Sequence, residues 1–177
     1  MAAILAFAGS NSSTSINFKL VNHTISLVQN HDIQTLNMAE HPFPMYSEDH
    51  EREHGFSDDL EKFKEHIDNS DGLILSVNEH NGNPSAYFKN VLDWLSRMDR
   101  NFLEDTKVLL MSASGGRFGG ARSLEIVNTM LPKFGGKVIS TFSLKGFYDN
   151  FGADGILNDY LRSEHQTALN TFLDSLK

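Results

Sequence analysis

The sequence predicts an α/β protein with a doubly wound, five-stranded parallel sheet in the strand order 2-1-3-4-5. Short apolar runs alternate five times with segments of helical periodicity, a pattern typical of a parallel sheet with helices on both faces. The 177 residues and the hydrophobic content of 40% are enough for one domain with a full core. No linker, internal repeat or low-complexity tract interrupts the chain. We therefore expect a single domain over residues 1–177.

The five predicted strands are short runs of apolar residues. They cover residues 2–8, 33–37, 72–77, 107–111 and 138–144. In a doubly wound sheet, a ligand lies outside the carboxyl ends of the strands at the point where the strand order reverses. For the predicted order this point is the crevice between strands 1 and 3.

Apolar residues at three- and four-residue spacing predict the helices, the first over about residues 15–29. Ser57 is a predicted N-cap, Pro84 suits a first helical position, and Gly135 is a predicted C-cap. Pro132 is expected to bend the last turn before Gly135. A closing helix carries Leu157, Leu161, Ala168, Phe172 and Leu176, and core or subunit-interface positions are expected for Tyr87 and Trp94.

Residues 38–56 contain two prolines, three histidines and many carboxylates. This segment is too polar for a core and longer than most connections, so we predict a flap. His50 and His54 have the i, i+4 spacing that can chelate a metal on a helix. Solvated histidines are far more common in such segments, and we predict no metal site.

Composition excludes several classes of function. The chain has no cysteine, which rules out disulfides, thiolate metal sites and cysteine nucleophiles. The formal net charge of −8 argues against a nucleic-acid surface. The amino terminus lacks the basic region of a signal peptide, and no apolar stretch is long enough for a membrane span. The expected location is the cytoplasm.

Polar or glycine-rich loops follow strands 1, 3 and 4, and all three should converge on the crevice. They are GSNSSTSIN at residues 9–17, NEHNGN at 78–83 and SASGGRFGG at 112–120. The hydroxyls and helix N-terminus of the first suit a phosphate, and the glycines of the third let backbone approach a flat ligand. An ordinary N-cap and flexible turns are the alternative interpretations.

The sequence lacks the residues that other functions of related folds require. The first loop has neither the G-x-G-x-x-G of a dinucleotide fold nor a P-loop. The segment Ser112-Ala113-Ser114 is not the G-x-S-x-G elbow of a serine hydrolase. A phosphoreceiver domain would need acidic residues where Gly9, Ser10 and Asn78 stand.

These loops carry a specific resemblance that covers nearly the whole chain. The sequence resembles the NADPH-dependent FMN reductase family, which has a flavodoxin-like fold. The family's GSxRxxSxN, PEYNGSxPGxLKNxxDW and GGxR motifs are matched by Gly9, Ser10, Ser15, Asn17, Glu79, Asn81, Gly82, Lys89, Asn90, Asp93, Trp94, Gly119, Gly120 and Arg122. Ser12 replaces the usual arginine, and Asn78 and His80 replace the usual proline and tyrosine.

The resemblance implies bound FMN, with NADPH or NADH as co-substrate. It places the phosphate at Ser10, Ser12, Ser15, Ile16 and Asn17, and the isoalloxazine between Asn78, Glu79, His80, Asn81, Gly82 on one side and Ser112, Ser114, Gly115, Gly116 on the other. A carboxylate beside a reduced, anionic flavin is unfavourable, so we expect Glu79 to point to backbone or to a partner subunit. A bulky apolar residue at Ser15 or Asn17 is expected to weaken FMN binding and leave the fold mostly intact.

The implied activity is hydride transfer from the nicotinamide to FMN and then electron transfer to a second substrate. The flavin carries this chemistry, so no catalytic side chain is expected. The acceptor is a small molecule, such as free flavin, a quinone, an azo or nitro compound, or a metal oxyanion. The alternative is an electron-carrier flavodoxin without reductase activity of its own. Members of the family usually form dimers or tetramers, so we expect a homodimer or homotetramer.

Overall fold

The computed structural model describes the whole chain, Met1–Lys177, and its centre is a five-stranded sheet with every neighbouring pair parallel. The strand order is β2-β1-β3-β6-β7, which confirms the predicted order 2-1-3-4-5 when these five strands alone are counted. Two short hairpins, β4–β5 and β8–β9, lie outside this sheet. The strands are β1 (Ala3–Ala8), β2 (Asp32–Leu36), β3 (Gly72–Val77), β4 (Glu79–His80), β5 (Asn83–Pro84), β6 (Lys107–Ala113), β7 (Lys137–Leu144), β8 (Phe151–Gly152) and β9 (Gly155–Ile156).

Helices connect the strands of the sheet, and serine or asparagine side chains cap several of them. Ser57 accepts a hydrogen bond from the N–H of Leu60, which confirms the predicted N-cap. No helix has the length and apolar character needed to cross a bilayer. The helices are α1 (Ile16–Ser26), α2 (Glu48–His54), α3 (Asp58–Asp68), α4 (Ala86–Met98), α5 (Ala121–Met130), α6 (Phe147–Asn150) and α7 (Asp159–Ser175), with 3-10 turns at Met38–Glu40 and Leu131–Phe134.

Several predicted boundaries are wrong. Pro84 lies in β5, and α4 begins after it because Ser85 caps the helix by accepting from the N–H of Phe88. Pro132 stands in a 3-10 turn rather than in the last turn of α5, and this turn ends at Gly135, whose φ of 91° fits the predicted cap. Leu157 precedes α7 and is exposed.

The side chains of each strand alternate between two helical layers. Leu5 and Phe7 of β1 face the layer of α3, α4 and α5, and Ile4 and Ala6 face α1 and α7. We refer to these layers as the α3–α4–α5 face and the α1–α7 face. Both sides of the sheet are thus buried, as the near-continuous apolar strands predict.

The prediction that residues 38–56 form a polar flap is wrong. Met38 and Phe43 are buried in the core, and residues 48–54 form α2. Polar groups of α4 satisfy the main chain of this segment: Trp94 Nε1 donates to the carbonyl of Pro44 at 2.7 Å, and the Tyr87 hydroxyl donates to that of His41 at 2.7 Å. Those bonds allow a polar-looking segment to pack, and they place Trp94 in the core, as predicted.

Candidate cofactor site

The three polar loops do share one edge of the sheet, as predicted. β1, β3 and β6 are adjacent and parallel, so their carboxyl ends lie side by side. The first loop is joined to the end of β3 through the N–H of Gly9, which donates to the carbonyl of Ser76 at 2.9 Å. The second loop is joined to α5, the helix that follows the third loop, because the Ser123 hydroxyl donates to the carbonyl of Asn78 at 2.8 Å.

The first loop ends in a helix N-terminus with free donors. Ser15 caps α1 by accepting from the N–H of Phe18 at 3.2 Å, while the N–H groups of Ile16 and Asn17 donate to no group in the chain. Ser12 and Thr14 are exposed in front of this helix end, and their hydroxyls lie 3.3 Å apart. Free amides at the positive end of a helix dipole, together with hydroxyls, form an arrangement that binds anions.

The side chain of Asn17 has a structural role that sequence reasoning missed. It is 2% exposed, and its Oδ1 accepts from the Ser76 hydroxyl and from the N–H of Ala113, both at 2.8 Å. Its Nδ2 donates to the carbonyl of Ala113 at 3.2 Å. The amide therefore fixes the start of α1 against the ends of β3 and β6. The premise that Asn17 is a surface position is therefore wrong, and we expect a bulky apolar residue here to disturb the fold as well as the loop.

The second loop is a hairpin whose turn consists of Asn81 and Gly82. Both residues have positive φ values, 53° and 75°, as an Asn-Gly hairpin turn requires. The carboxylate of Glu79 accepts from the N–H groups of Arg122 and Ser123, both at 3.1 Å. It thereby caps α5, whose N-cap residue Gly120 offers no side chain. This confirms that Glu79 points to backbone.

Asn78 and His80 stand where the second loop leaves the sheet. The side-chain nitrogen Nδ2 of Asn78 lies 3.1 Å from Nε2 of His80. The other side-chain atom, Oδ1 of Asn78, is buried without a hydrogen-bond partner. A buried acceptor without a donor is costly in a folded protein, and such atoms mark places where a further group is needed.

The third loop uses its serines for its own shape. Ser112 is 0% exposed, and its hydroxyl donates to the carbonyl of Gly119 at 2.7 Å. Ser114 Oγ accepts from the N–H of Gly116 at 3.3 Å. Gly119 has a φ of 63°, and a Cβ there would lie 2.3 Å from the hydroxyl oxygen of Ser143. The Ser112 side chain is therefore a brace of the loop and not a ligand-binding hydroxyl.

Tyr148 is a residue at this edge that the sequence did not single out. It lies in α6 directly after β7, and a Cβ on Gly115 would come within 2.9 Å of its ring. The ring therefore lies on the third loop. Helical periodicity gives no signal for an exposed residue in a four-residue helix, so only the fold reveals this contact.

Comparison with known proteins agrees with the family that the fold and the loop motifs indicate. Residues 2–149 match the sequence profile of the NADPH-dependent FMN reductases, and the chain belongs to that family. A quinone reductase of Escherichia coli is 37% identical over 79 residues, which are 45% of this chain and 42% of that protein. An NAD(P)H-dependent FMN reductase of Pseudomonas aeruginosa is 31% identical over 121 residues, 68% of this chain and 64% of that protein. The matches thus span less than two thirds of these relatives.

Solved structures show the same fold over the whole chain. The flavoenzyme NAD(P)H:acceptor oxidoreductase FerB of Paracoccus denitrificans has a TM-score of 0.82 at 19% identity, covering 99% of this chain and 97% of that one. The apo form of an NADH:FMN oxidoreductase has a TM-score of 0.79 at 19% identity, and the match covers 100% of this chain and 91% of that one. At this identity the likeness establishes the flavodoxin-like fold.

Proposed function

We propose that this chain binds FMN at the carboxyl edge of its sheet and acts as an NAD(P)H-dependent oxidoreductase with a quinone, free flavin or similar small molecule as acceptor. The observation that carries the proposal is the pair of free N–H groups of Ile16 and Asn17 behind the exposed hydroxyls of the first loop. They follow β1, whose carboxyl end lies beside that of β3, at the same edge of the sheet as the Asn81–Gly82 turn and the third loop, in a member of an FMN reductase family.

The residues at this edge fit FMN. The helix N-terminus supplies donors for a phosphate, with Ser12 replacing a charged contact by a hydroxyl. Gly116 leaves room for a flat ring, because a Cβ there would meet no atom closer than 3.7 Å. The unsatisfied Oδ1 of Asn78 calls for a donor, and the imide N–H of an isoalloxazine is a donor of the right type.

The residues proposed to hold FMN separate into three roles. Backbone N–H groups of Ile16 and Asn17, with Ser12, bind the phosphate, while Ser10 and Ser15 shape the loop by accepting backbone hydrogen bonds. Asn78, His80, Asn81 and Gly82 border one side of the ring, with Glu79 fixing their position against α5. Ser114, Gly115 and Gly116 border the other side, with Ser112 as the brace.

The chemistry that FMN supplies when bound is the acceptance of a hydride from NAD(P)H and the release of electrons to a second substrate. The chain contributes placement: rigid loops on a rigid sheet hold the two substrates in turn at one position. No charged side chain is required for proton transfer, and Glu79 is kept away by its bonds to α5. We also propose one domain over the whole chain, a cytoplasmic location and a homodimer or homotetramer, as is usual in the family.

The test begins with the cofactor. The purified protein, loaded with FMN and washed, should release FMN and not FAD, because the first loop offers one phosphate-sized site. In anaerobic buffer NADPH or NADH should bleach the flavin absorbance, and menadione should restore it. Initial rates against both substrates should give parallel lines, the pattern of ping-pong turnover.

Two outcomes would overturn the proposal in different ways. Protein that takes up no FMN at micromolar concentrations would remove the cofactor assignment. Protein that binds FMN, is reduced by dithionite and yet fails to react with either nicotinamide within minutes would be an electron carrier instead.

A further inference from the structure

Two large aromatic rings project into solvent at the edge that carries the proposed site. Phe118 is 63% exposed and lies in the third loop, and Tyr148 is 76% exposed in α6. Exposed apolar side chains grouped beside a functional loop can mark a binding surface. The contact between Tyr148 and Gly115 places one of the rings directly on the loop proposed to border the flavin.

The backbone behind both rings is held firmly. The carbonyl of Gly116 accepts from the N–H groups of Gly119 at 3.3 Å and Gly146 at 3.0 Å, and that of Ser114 accepts from the N–H of Phe147 at 3.0 Å. The third loop and α6 are thereby one hydrogen-bonded unit. The buried ring of Phe147 packs edge-on against Tyr148 with 5.7 Å between centroids. The backbone that carries both exposed rings is pre-organised, which reduces the entropy lost on binding a ligand.

Two cations without ion pairs accompany these rings. The guanidinium of Arg117 lies 4.6 Å from the centroid of the Phe118 ring, and Arg117 forms none of the nine salt bridges of the chain. Lys145 is exposed, unpaired and adjacent to Gly119, with its Cγ 3.1 Å from where a Cβ of that glycine would be. The carboxylate on the same turn, Asp149, pairs with neither.

The distribution of charge favours phosphate-bearing ligands at the surface formed by these two rings and two cations. The chain carries a net charge of −8, and its acidic residues dominate elsewhere. An acidic protein that leaves two cations free beside two exposed rings offers, at this place, a surface for a flat aromatic group that carries phosphates. A neutral quinone would gain little from the cations.

We propose that Arg117, Phe118, Lys145 and Tyr148 form an aromatic–cationic rim that binds the adenosine phosphate end of the pyridine dinucleotide and favours NADPH over NADH. The inference rests on the proposed function, since the nicotinamide end must reach the flavin while the adenosine end extends over the neighbouring surface. NADPH carries one more phosphate than NADH, and the unpaired cations bind that charge. The rings stack against adenine.

The test uses Arg117→Gln and Tyr148→Leu in the FMN-loaded protein, with two matched controls. Arg100→Gln removes another guanidinium that lies over a ring, that of Phe134 at 5.3 Å, and Tyr160→Leu removes another exposed tyrosine, in α7. We expect each rim variant to raise KM for NADPH roughly fivefold to tenfold. In Arg117→Gln the kcat, the KM for menadione and the Kd for FMN should not change, and KM for NADH should rise less than KM for NADPH.

A binding measurement without turnover separates the rim from the proposed function. Calorimetric titration with 2′,5′-ADP should show binding to wild type and to both controls, and a loss of at least fivefold in the rim variants. If the protein binds no FMN but the dependence of 2′,5′-ADP binding on Arg117 remains, the rim is retained and the proposed function fails. A wild-type KM for NADPH in both rim variants would contradict the proposal that the rim binds the dinucleotide. A changed oligomeric mass with unchanged KM would also contradict it, because the surface would then be a subunit interface.

Discussion

The two faces of the sheet are both lined by buried apolar residues but differ in their polar groups. All three buried hydrogen bonds between side chains lie on the α1–α7 face: Thr24 with Met111 and with His165, and Ser76 with Asn17. On the α3–α4–α5 face, the buried amide of Asn90 bonds instead to the main chain of residues 43–46. The α1–α7 face therefore positions α1, the helix that begins at the proposed phosphate site. The α3–α4–α5 face contributes chiefly packing.

The largest effect is expected on the α3–α4–α5 face. Phe63 is 1% exposed and packs edge-on against Phe7 at 5.2 Å between centroids. Phe63→Ala should lower the free energy of unfolding by about 3–5 kcal/mol, because it removes a buried ring and leaves a cavity. Urea denaturation at pH 7 measures the loss. FMN affinity of the folded variant should stay within twofold of wild type, and a larger drop would show that this face also positions the site.

The α1–α7 face should make stability depend on pH through His165. Burial, and then the neighbouring charge of His23, lowers the pKa of His165 to about 4. The unfolded chain binds a proton near the ordinary pKa of about 6.5, so stability is full above that pH and falls as the pH drops towards 4. A pKa lowered this far corresponds to a loss of about 3 kcal/mol in the free energy of unfolding once the pH is below 4, and the drop from pH 7 to pH 5 includes about 2 kcal/mol of that loss.

Urea denaturation at pH 7 and at pH 5 measures this dependence. His165→Gln should reduce the difference between the two pH values, and burial lowers the pKa of His23 as well, so part of the dependence should remain. His54→Gln, the same change at an exposed helical position, serves as the control. Equal pH dependence in wild type and His165→Gln would contradict the assignment of a neutral, buried imidazole.

Asn17 provides the most direct comparison between the faces. Asn17→Ala leaves the Ser76 hydroxyl and both polar backbone groups of Ala113 without partners, and should cost about 2–3 kcal/mol. Because α1 is then no longer fixed to the strand ends, FMN affinity should also fall. Asn90→Ala is the matched control: this amide is 4% exposed and also bonded to main chain, but on the other face. It should lose similar stability and keep its FMN affinity; equal FMN loss in both variants would abolish the distinction.

The fold could be predicted from the sequence because each strand is a separate apolar run and the periodicity between the runs is helical. The functions of individual polar residues could not be predicted in this way. Ser12 and Ser112 both fall in segments predicted as polar loops, yet Ser12 is exposed in its loop, whereas Ser112 lies in β6 and is fully buried against the carbonyl of Gly119. The partner of a serine depends on which loop lies above it. Residues 38–56 were mistaken for a flap for the same reason, since Trp94 and Asn90 bind that segment from a distant helix.

The smallest expected effect concerns the charge missing from the first loop. Ser12→Arg restores the residue usual in the family, and a charge-assisted hydrogen bond is about twice as strong as a neutral one. FMN affinity should rise about threefold to tenfold, which corresponds to roughly 1 kcal/mol. Ser26→Arg adds the same charge at the opposite end of α1 and should leave FMN affinity unchanged.

Riboflavin completes this test because it has the same ring as FMN and no phosphate. If the free N–H groups of Ile16 and Asn17 mark the phosphate position, Ser12→Arg should leave riboflavin affinity at the wild-type value while FMN affinity rises. Fluorescence quenching of each flavin on titration with protein measures both constants. An equal gain for the two flavins would place the new guanidinium against the ring. No gain for FMN would mean that the phosphate lies elsewhere than at the helix end that the α1–α7 face fixes in position.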